Sequence, residues 1–597
     1  MKKLLMLGAG LALWLGYASA QICLAQQRTT TAATKNKTTA FVNVNVLPMD
    51  TERVLYGQTV IVRDGRIAEI GDAGKLKIPK NALRIDGRGK FLMPGFADMH
   101  AHLNSPHELP LYLASGVTTV YNLNGRPAHL LWRERIVKGE MLAPSIYTCG
   151  PTIRTAKTAE DARQIVEEQA RSGYDSIKIY SFVSKEAYPV LIEEARKRKM
   201  LVVGHIPREP KFEDVMKSGM AIAHAEEFGY TFFNYNFDDY SRIAEAVKMT
   251  RENNVPVIPS LVAFDRIIRQ AEDLPALLAL PEMKYLAPWV RAEWQPGKNL
   301  YQQRFAGADG ISGLKKSFAL QRKLAQDFRR AGVRIMVGTD AMNMGVVPGF
   351  SVHEELRNLT EIGFTPFEAL EAATRSPAEF LQSGEFGTVS AGRRADLILL
   401  EGNPLEDVSR AARPAGVMIR GRWLPGNVLR RMLDEVPAAY AREEQFVKTN
   451  FASDTARVLN YLGENDPFNN LLNEAVANLV AERGAGEFAK IFAKAKSINP
   501  GSNLVQEDFI NALGYRLLGR NKPREAIEIF RFNTEAFPKS GNTYDSLAEA
   551  YLGTGEKKLA AAFYKKALEV EPNYPNAKTA TEIVKKLEAE LKTGSPK

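Results

Sequence analysis

The stretch KFLMPGFADMHAHL, Lys90 to Leu103, places His100 and His102 one residue apart in a chain with only seven histidines. In an extended strand, residues i and i+2 face the same way. Both imidazoles can then reach one cation, with Met99 and Ala101 facing outward. Alone, a His-x-His pair is a weak signal, because two histidines also meet near turns by chance. Three further positions strengthen it: LVVGH ends in His205, AIAH ends in His224 and RIMVGTD ends in Asp340. Each sets a nitrogen or hard oxygen donor at the C-terminal end of a strand-like run.

Lys178 is the most telling residue. DSIKIY sets it between Ile177 and Ile179. With both isoleucines turned toward a helix layer, Lys178 faces the enclosed side, where an unpaired ammonium near cations is strongly disfavoured. Reaction of the amine with carbon dioxide relieves this, giving a carbamate, an anion able to bridge two metals.

Such residues need a scaffold that converges on them. Eight strand-like runs alternate with amphipathic helical stretches: GFADMHAHL, GVTTVYNL, PSIYTCG, DSIKIY, LVVGH, AIAHA, VPVIPSL and RIMVGTD. This alternation predicts an α/β chain with a TIM-like (β/α)8 barrel over residues 94–384, its chemistry at the C-terminal face of the strands. The β-rich blocks 41–93 and 385–430 predict a composite β-sandwich, with a hairpin turning at Asp64-Gly65 in QTVIVRDGRIAEIG. Ser351, Thr365 and Ser376 each precede a glutamate by three residues and are expected as helix N-caps. A helical linker is expected over 431–505. Residues 506–590 repeat with a period of 34: Leu513 matches Leu547, Gly519 Gly553, Ala526 Ala560, Phe530 Tyr564 and Pro538 Pro572. Period and residue classes resemble tetratricopeptide repeats, an all-α domain.

Residues from Phe41 to Pro425 resemble the amidohydrolase superfamily, in its binuclear, carboxylated-lysine branch with imidazolonepropionase and Xaa-Pro dipeptidase-like members. The resemblance rests on GKFLMPGFADMHAHL, on GTVSAGRRADLILLEGNP and on TPFEALEAATRSPAEFL. It implies that His100, His102 and Asp340 bind one divalent metal, that His205 and His224 bind a second, and that carboxylated Lys178 and a hydroxide bridge them. Nitrogen and hard oxygen donors without thiolate suit zinc, with manganese or iron next. The implied reaction is attack of that hydroxide on an amide-type C–N bond, in an N-acyl amino acid, a dipeptide or a cyclic amide. Asp340 serves as general base and then acid. TCGPTIRT carries no histidine after the third run, where Xaa-Pro dipeptidases usually show one.

Substrate contacts are expected from loops after the strands. Arg126, Arg154 and Arg208 can each grip a carboxylate, and Tyr230 can donate to an oxyanion. Ordinary surface arginines and a packing tyrosine are the bland alternatives. His107 and His129 read as structural or exposed, and His353, in SVHEEL, as helix-surface packing or as a residue that orients a ligand. The segment 265–317, with Trp289, Trp294 and Tyr301, reads as a lid or a packed helical cover.

Composition sets outer bounds. At 597 residues, 45% hydrophobic and 25% charged, the chain holds several ordinary domains. Its net charge of +10 is spread through alternating signs, which argues against nucleic-acid binding. MKK, an apolar run and ASAQ predict a signal peptide at 1–20, followed by a disordered lead-in at 21–40, hence an exported protein without a transmembrane anchor after cleavage. Cys23 and Cys149 make no disulfide framework. Two other functional readings compete: a binding module in which the repeats hold a protein partner or a second copy beside an inactive barrel, and a lactone or ester hydrolase on the same site.

Overall fold

β-Branched and apolar residues in alternation build the first strands. In the computed structural model, residues 38–593 are described apart from 298, 306, 343–344, 452, 468–469 and 499–502. The expected signal peptide, Cys23 and nearly all of the lead-in lie outside the described residues. By contacts the chain divides into two units, Met1–Ala439 and Tyr440–Lys597. The first opens with β1 (Thr38–Val46), β2 (Leu55–Arg63), β3 (Arg66–Asp72), β4 (Leu83–Asp86) and β5 (Phe91–Pro94). β2 and β3 form the expected hairpin, with Arg63 paired to Arg66 around Asp64-Gly65.

Parallel strands follow: β6 (Phe96–Ala101), β7 (Val117–Asn122) and β8 (Ser145–Thr148) in one sheet, then β9 (Ile153–Ala156), β10 (Ser176–Val183), β11 (Leu201–Gly204), β12 (Ala221–Ala223) and β13 (Val257–Ile258) in another. Seven of the eight expected runs thus contain strands. The eighth pairs only through single bridges, Val257 to Ile335 and Ala101 to Ala341. Around these, Met99 N donates to Val337 O at 2.9 Å and Asp340 N to His100 O at 2.7 Å. A further bridge, Cys149 to Ser176, joins the end of β8 to β10. β9 was not foreseen; it adds to β10 in the stretch expected as a loop after the third run.

The return of the chain completes the flanking sheet. β14 (Leu397–Leu400), β15 (Gly416–Ile419) and β16 (Arg422–Pro425) join through β14, which pairs antiparallel with β5, Ile398 opposite Met93. Both β-rich blocks therefore enter one continuous eight-stranded sheet, with a core of Phe41, Val60, Leu92, Leu397 and Met418.

Two apolar layers surround the parallel strands. Ile177, Ile179, Ile222 and Val257 pack toward the helices, with Trp132, Leu191, Phe228 and Phe328. Ala97, Met99, Tyr121, Val203, Ala223, Ile258 and Met336 form a separate inner cluster. Met99 therefore faces inward, against expectation. The register of β6 on β7 shifts between Asp98 and Ala101, which breaks strict alternation just before the His100 ligand atoms.

One expected cap holds and two do not. Thr365 caps the helix Pro366–Ala372 with a reciprocal Glu368 bond. The helix Phe350–Glu361 starts one residue before Ser351, from Gly349 at φ 75°, and the Ser351 hydroxyl instead accepts from Val347 N at 3.0 Å. Ser376 lies inside the helix Arg375–Phe380, behind Thr374, whose hydroxyl turns back to Leu370 O at 2.7 Å. The segment 265–317 is a packed helical cover, in which Phe264, Ile267, Ile268 and Leu314 bury one another with Tyr301 and Phe305 alongside.

The second unit is helical. The pair Glu507–Gly519 and Pro523–Ala536 recurs as Gly541–Gly553 and Lys557–Val570, each start displaced by the sequence period. The matched residues Leu513, Leu547, Ala526, Ala560, Phe530 and Tyr564 are all buried. No helix among the described residues is long and apolar enough to cross a membrane.

Gly204 lets β11 lie tight on β10: a Cβ there would fall 2.1 Å from Ile179 O. Gly204→Ala is expected to destabilise the first unit by about 1–3 kcal/mol, the usual range for overpacking, read as a lowered calorimetric midpoint with the transition of the second unit unmoved.

Candidate metal centre

Strand ends carry the predicted ligands to one place. β6 supplies His100, and His102 follows it by two residues. His205 comes directly after β11 and donates its N–H to Ile179 O at 3.0 Å; His224 directly follows β12 and donates to Ile258 O at 2.8 Å. Asp340 sits in the eighth run, hydrogen bonded to the His100 carbonyl. His224 (φ 75°) and Asp340 (φ 60°) both adopt left-handed backbone. That conformation is disfavoured for residues with a Cβ and recurs where a site holds the chain against its preference.

The ligand atoms converge. Asp340 Oδ1 lies 3.1 Å from His100 Nε2 and 2.9 Å from His102 Nε2, and Oδ2 lies 3.9 Å from His224 Nε2. His100, His224 and Asp340 each offer a ligand atom within 4.8 Å of the others. The His205 ring lies 5.1 Å from that of His224. Lys178 is buried, and its charge bears on His100, His205 and His224 alike. All six predicted residues are therefore brought together.

Electrostatics prepare these groups as donors. Burial, helped by the Lys178 charge, holds His100 well below the ordinary imidazole value. Burial also lowers His224 strongly and His205 less, since Glu227 opposes it. Neutral imidazoles keep the lone pair a metal needs. Burial acts to raise Asp340, but His100, His224 and His102 outweigh it and keep the carboxyl ionised. Burial pulls the Lys178 amine down to about 8, which raises the share of neutral amine, the form that reacts with carbon dioxide.

The donor set fits a pair of divalent cations. His100 Nδ1 and Nε2 and Lys178 Nζ are buried and have no hydrogen-bond partner among the described residues. Orphaned buried polar atoms are costly. Four imidazoles, a carboxylate and a carbamate would satisfy two cations, whereas an ammonium would not.

Residues invisible to the sequence reading hold the ligands in place. Glu227 is buried; its Oε1 accepts from His205 Nδ1 at 2.7 Å and its Oε2 from Ile206 N at 3.2 Å. This fixes the tautomer that leaves Nε2 free for a metal. Asp98 accepts from His100 N, from Thr339 N at 3.0 Å and from the Thr339 hydroxyl at 2.6 Å, clamping β6 to the run that carries Asp340. Burial pushes its carboxyl up to about 7 despite those bonds. Asn122 accepts from Leu103 N at 3.0 Å, and His129 bonds to Leu103 O at 2.8 Å, so His129 is structural, steadying the turn after His102. His353 is also structural: its Nε2 donates to Ser115 O at 2.9 Å. Asp98 stands inside GFADMHAHL, and Glu227 lies two residues past AIAHA. Their neighbours gave the only signal, an acidic residue two before His100 and another three after His224.

The expected substrate contacts divide. Arg154, on β9, lies over the Tyr180 ring at 5.4 Å, and that ring lies 4.1 Å from His205. Arg208 lies over Tyr230 and Tyr235 at 5.2 and 5.8 Å. Tyr230 donates its hydroxyl to Glu226 at 3.1 Å, so that proton is already engaged. Arg126 starts the helix Pro127–Val137, and its N–H donates to His129 Nδ1 at 2.9 Å.

Comparisons with known proteins agree with this architecture. Residues 91–424 match the Amidohydrolase family. Dihydroorotase from Anaeromyxobacter sp. is 39% identical over 49 residues, 8% of this chain, so the match spans only about a tenth (11%) of that relative. Ochratoxinase from Aspergillus niger is 24% identical over 415 residues, 62% of this chain and 83% of that protein. The crystal structure of a putative prolidase from Bifidobacterium longum aligns with TM-score 0.52 at 25% identity, covering 67% of this chain and 99% of that one.

Glu227→Gln removes the carboxylate that orients His205 while keeping the shape. Zinc affinity, measured by chelator competition, is expected to fall about 10–100-fold with the circular dichroism spectrum retained. Unaltered affinity would show that His205 needs no such partner.

Proposed function

We propose, from the premise that the chain belongs to the amidohydrolase family, that it is a binuclear metal-dependent hydrolase of amide-type C–N bonds. The observation that carries this reading is Lys178: a buried amine with no hydrogen-bond partner among the described residues, whose charge acts on His100, His205, His224 and Asp340. Its neighbours make sense of it as a carbamate. His100, His102 and Asp340 would hold one divalent ion, His205 and His224 the other, with carboxylated Lys178 between them. Zinc is the favoured metal on the donor set. Two such ions, when bound, supply a nucleophile at neutral pH and polarise the substrate carbonyl.

The side chains account for the proton traffic. Water adds its oxygen to the carbonyl carbon and the C–N bond breaks. Asp340, ionised and at the centre of the cluster, takes the proton from water and delivers it to the leaving nitrogen. The four imidazoles would be committed as metal donors, so they are poor proton carriers here. Asp98 and Glu227 hold Asp340, His100 and His205 in register while this happens.

The same reading takes the parallel strands, with their three bridges, as a (β/α)8 barrel spanning 94–384, and the paired helices of 506–590 as tetratricopeptide repeats that hold a protein partner or a second copy. Support for the repeats is the shared displacement of both helix pairs and the burial of matched Ala and aromatic residues. On the same reading, the basic start, apolar run and small residues of 1–20 act as a signal peptide that directs the protein to export. A lactone or ester is the second substrate class, since the same attack serves either carbonyl.

Asp340→Asn, in zinc-loaded full-length protein, is expected to lower kcat at least about 10²-fold on any amide substrate, while the retained imidazoles keep most bound zinc by elemental analysis. Wild-type-like turnover would remove Asp340 from the proton path. Growth or refolding in 13C-bicarbonate should give one carbamate carbon signal, lost in Lys178→Met. Its absence from a zinc-containing wild-type sample would refute the carboxylated lysine.

A further inference from the structure

The end of β10 beyond Lys178 is flanked on both sides by arginines that make no direct ion pair among the described residues, although the charge of Arg208 is felt by Glu226. On one side β9 pairs with it, Ile153 opposite Ile179 and Thr155 opposite Phe182, which sets Arg154 alongside Tyr180. On the other, Arg208 donates its backbone N–H to Ser181 O at 3.0 Å. Neither guanidinium makes an ion pair or a side-chain hydrogen bond among the described residues, and both side chains are exposed. Other exposed arginines of this chain do pair with an acid: Arg66 with Glu385 at 2.9 Å and Arg88 with Asp86 at 2.8 Å are examples.

Tyrosine faces hold the two guanidiniums in place. Arg154 lies over Tyr180, whose ring also lies against His205. Arg208 lies over Tyr230 and Tyr235, which stack on each other at 5.2 Å. Tyr230 in turn is tethered to Glu226, two residues past His224. A guanidinium laid on an aromatic ring keeps its N–H edges free while losing rotational freedom. Both arginines are thus fixed, three residues or one ring away from His205, with unused donors.

We infer that Arg154 and Arg208 form a two-sided carboxylate clamp beside the His205–His224 half of the centre, and that the substrate is an amide bearing a free carboxylate. This deepens the hydrolase reading and rests on it for the scissile bond alone. A carboxylate accepts from two planar forks at once, which a neutral amide or a lactone without an acid cannot do.

The test uses zinc-loaded full-length protein and a panel of N-acetyl-L-amino acids with their matching carboxamides, which differ only at the acid. Wild type is expected to favour the acids in kcat/KM by about tenfold or more. In Arg154→Gln and Arg208→Gln that acid-over-amide ratio falls toward one, mainly through KM, and Arg→Lys restores part of it. A wild-type ratio near one, or parallel losses on acid and amide, would overturn the clamp and leave the hydrolase standing. Should no pair be turned over, calorimetric binding of the same compounds decides. Tighter acid binding that the variants lose supports the clamp and sinks the hydrolase reading; equal or undetectable binding overturns the clamp.

Discussion

A cluster of polar side chains buried at the ends of apolar strands is the constraint on which the rest of the first unit depends. Lys178, His100, His205, His224 and Asp340 are all buried where the neighbouring side chains are Ala, Val, Ile and Met. Taking such groups from water costs several kcal/mol per ion unless they find partners. The protein meets that cost in part internally, through Asp340 among the imidazoles and Glu227 beneath His205. What remains unmet, the nitrogens of His100 and the amine of Lys178, defines what the site is built to receive.

Holding these groups in one place demands backbone that would not form by itself. Two of the six ligands sit at positive φ, β6 breaks register next to His100, and the eighth run gives up a regular strand for single bridges. Asp98 is the counterweight: one carboxylate holds both β6 and the run bearing Asp340. Strain at the site and reinforcement beneath it are two faces of one design, since a metal centre tolerates little displacement of its ligands.

The flanking sheet and the helical unit serve different ends. The sheet draws strands from both ends of the first unit, so β5 and β14 fasten the start of the first ligand-bearing strand to the segment after the last one. The helical unit buries its own small and aromatic residues in a repeating pattern and has a core of its own.

The sequence by itself singled out the six residues that the fold brings together, the alternation of strand and helix, the hairpin at Asp64-Gly65 and the 34-residue period. Each is written in local spacing: a strand's twofold alternation, a donor at the end of an apolar run, a repeat at fixed distance. Only the tertiary structure decided the inward turn of Met99, the irregular eighth run, the extra strand β9, the true starts of the helices at Phe350 and Arg375, and the work of Asp98 and Glu227. Those depend on partners far along the chain, such as Thr339 for Asp98 and His205 for Glu227. A residue whose meaning lies in a neighbour hundreds of positions away leaves no periodic trace. The same holds for Arg154 and Arg208: in sequence they are two arginines among many, and only the rings beneath them set them apart.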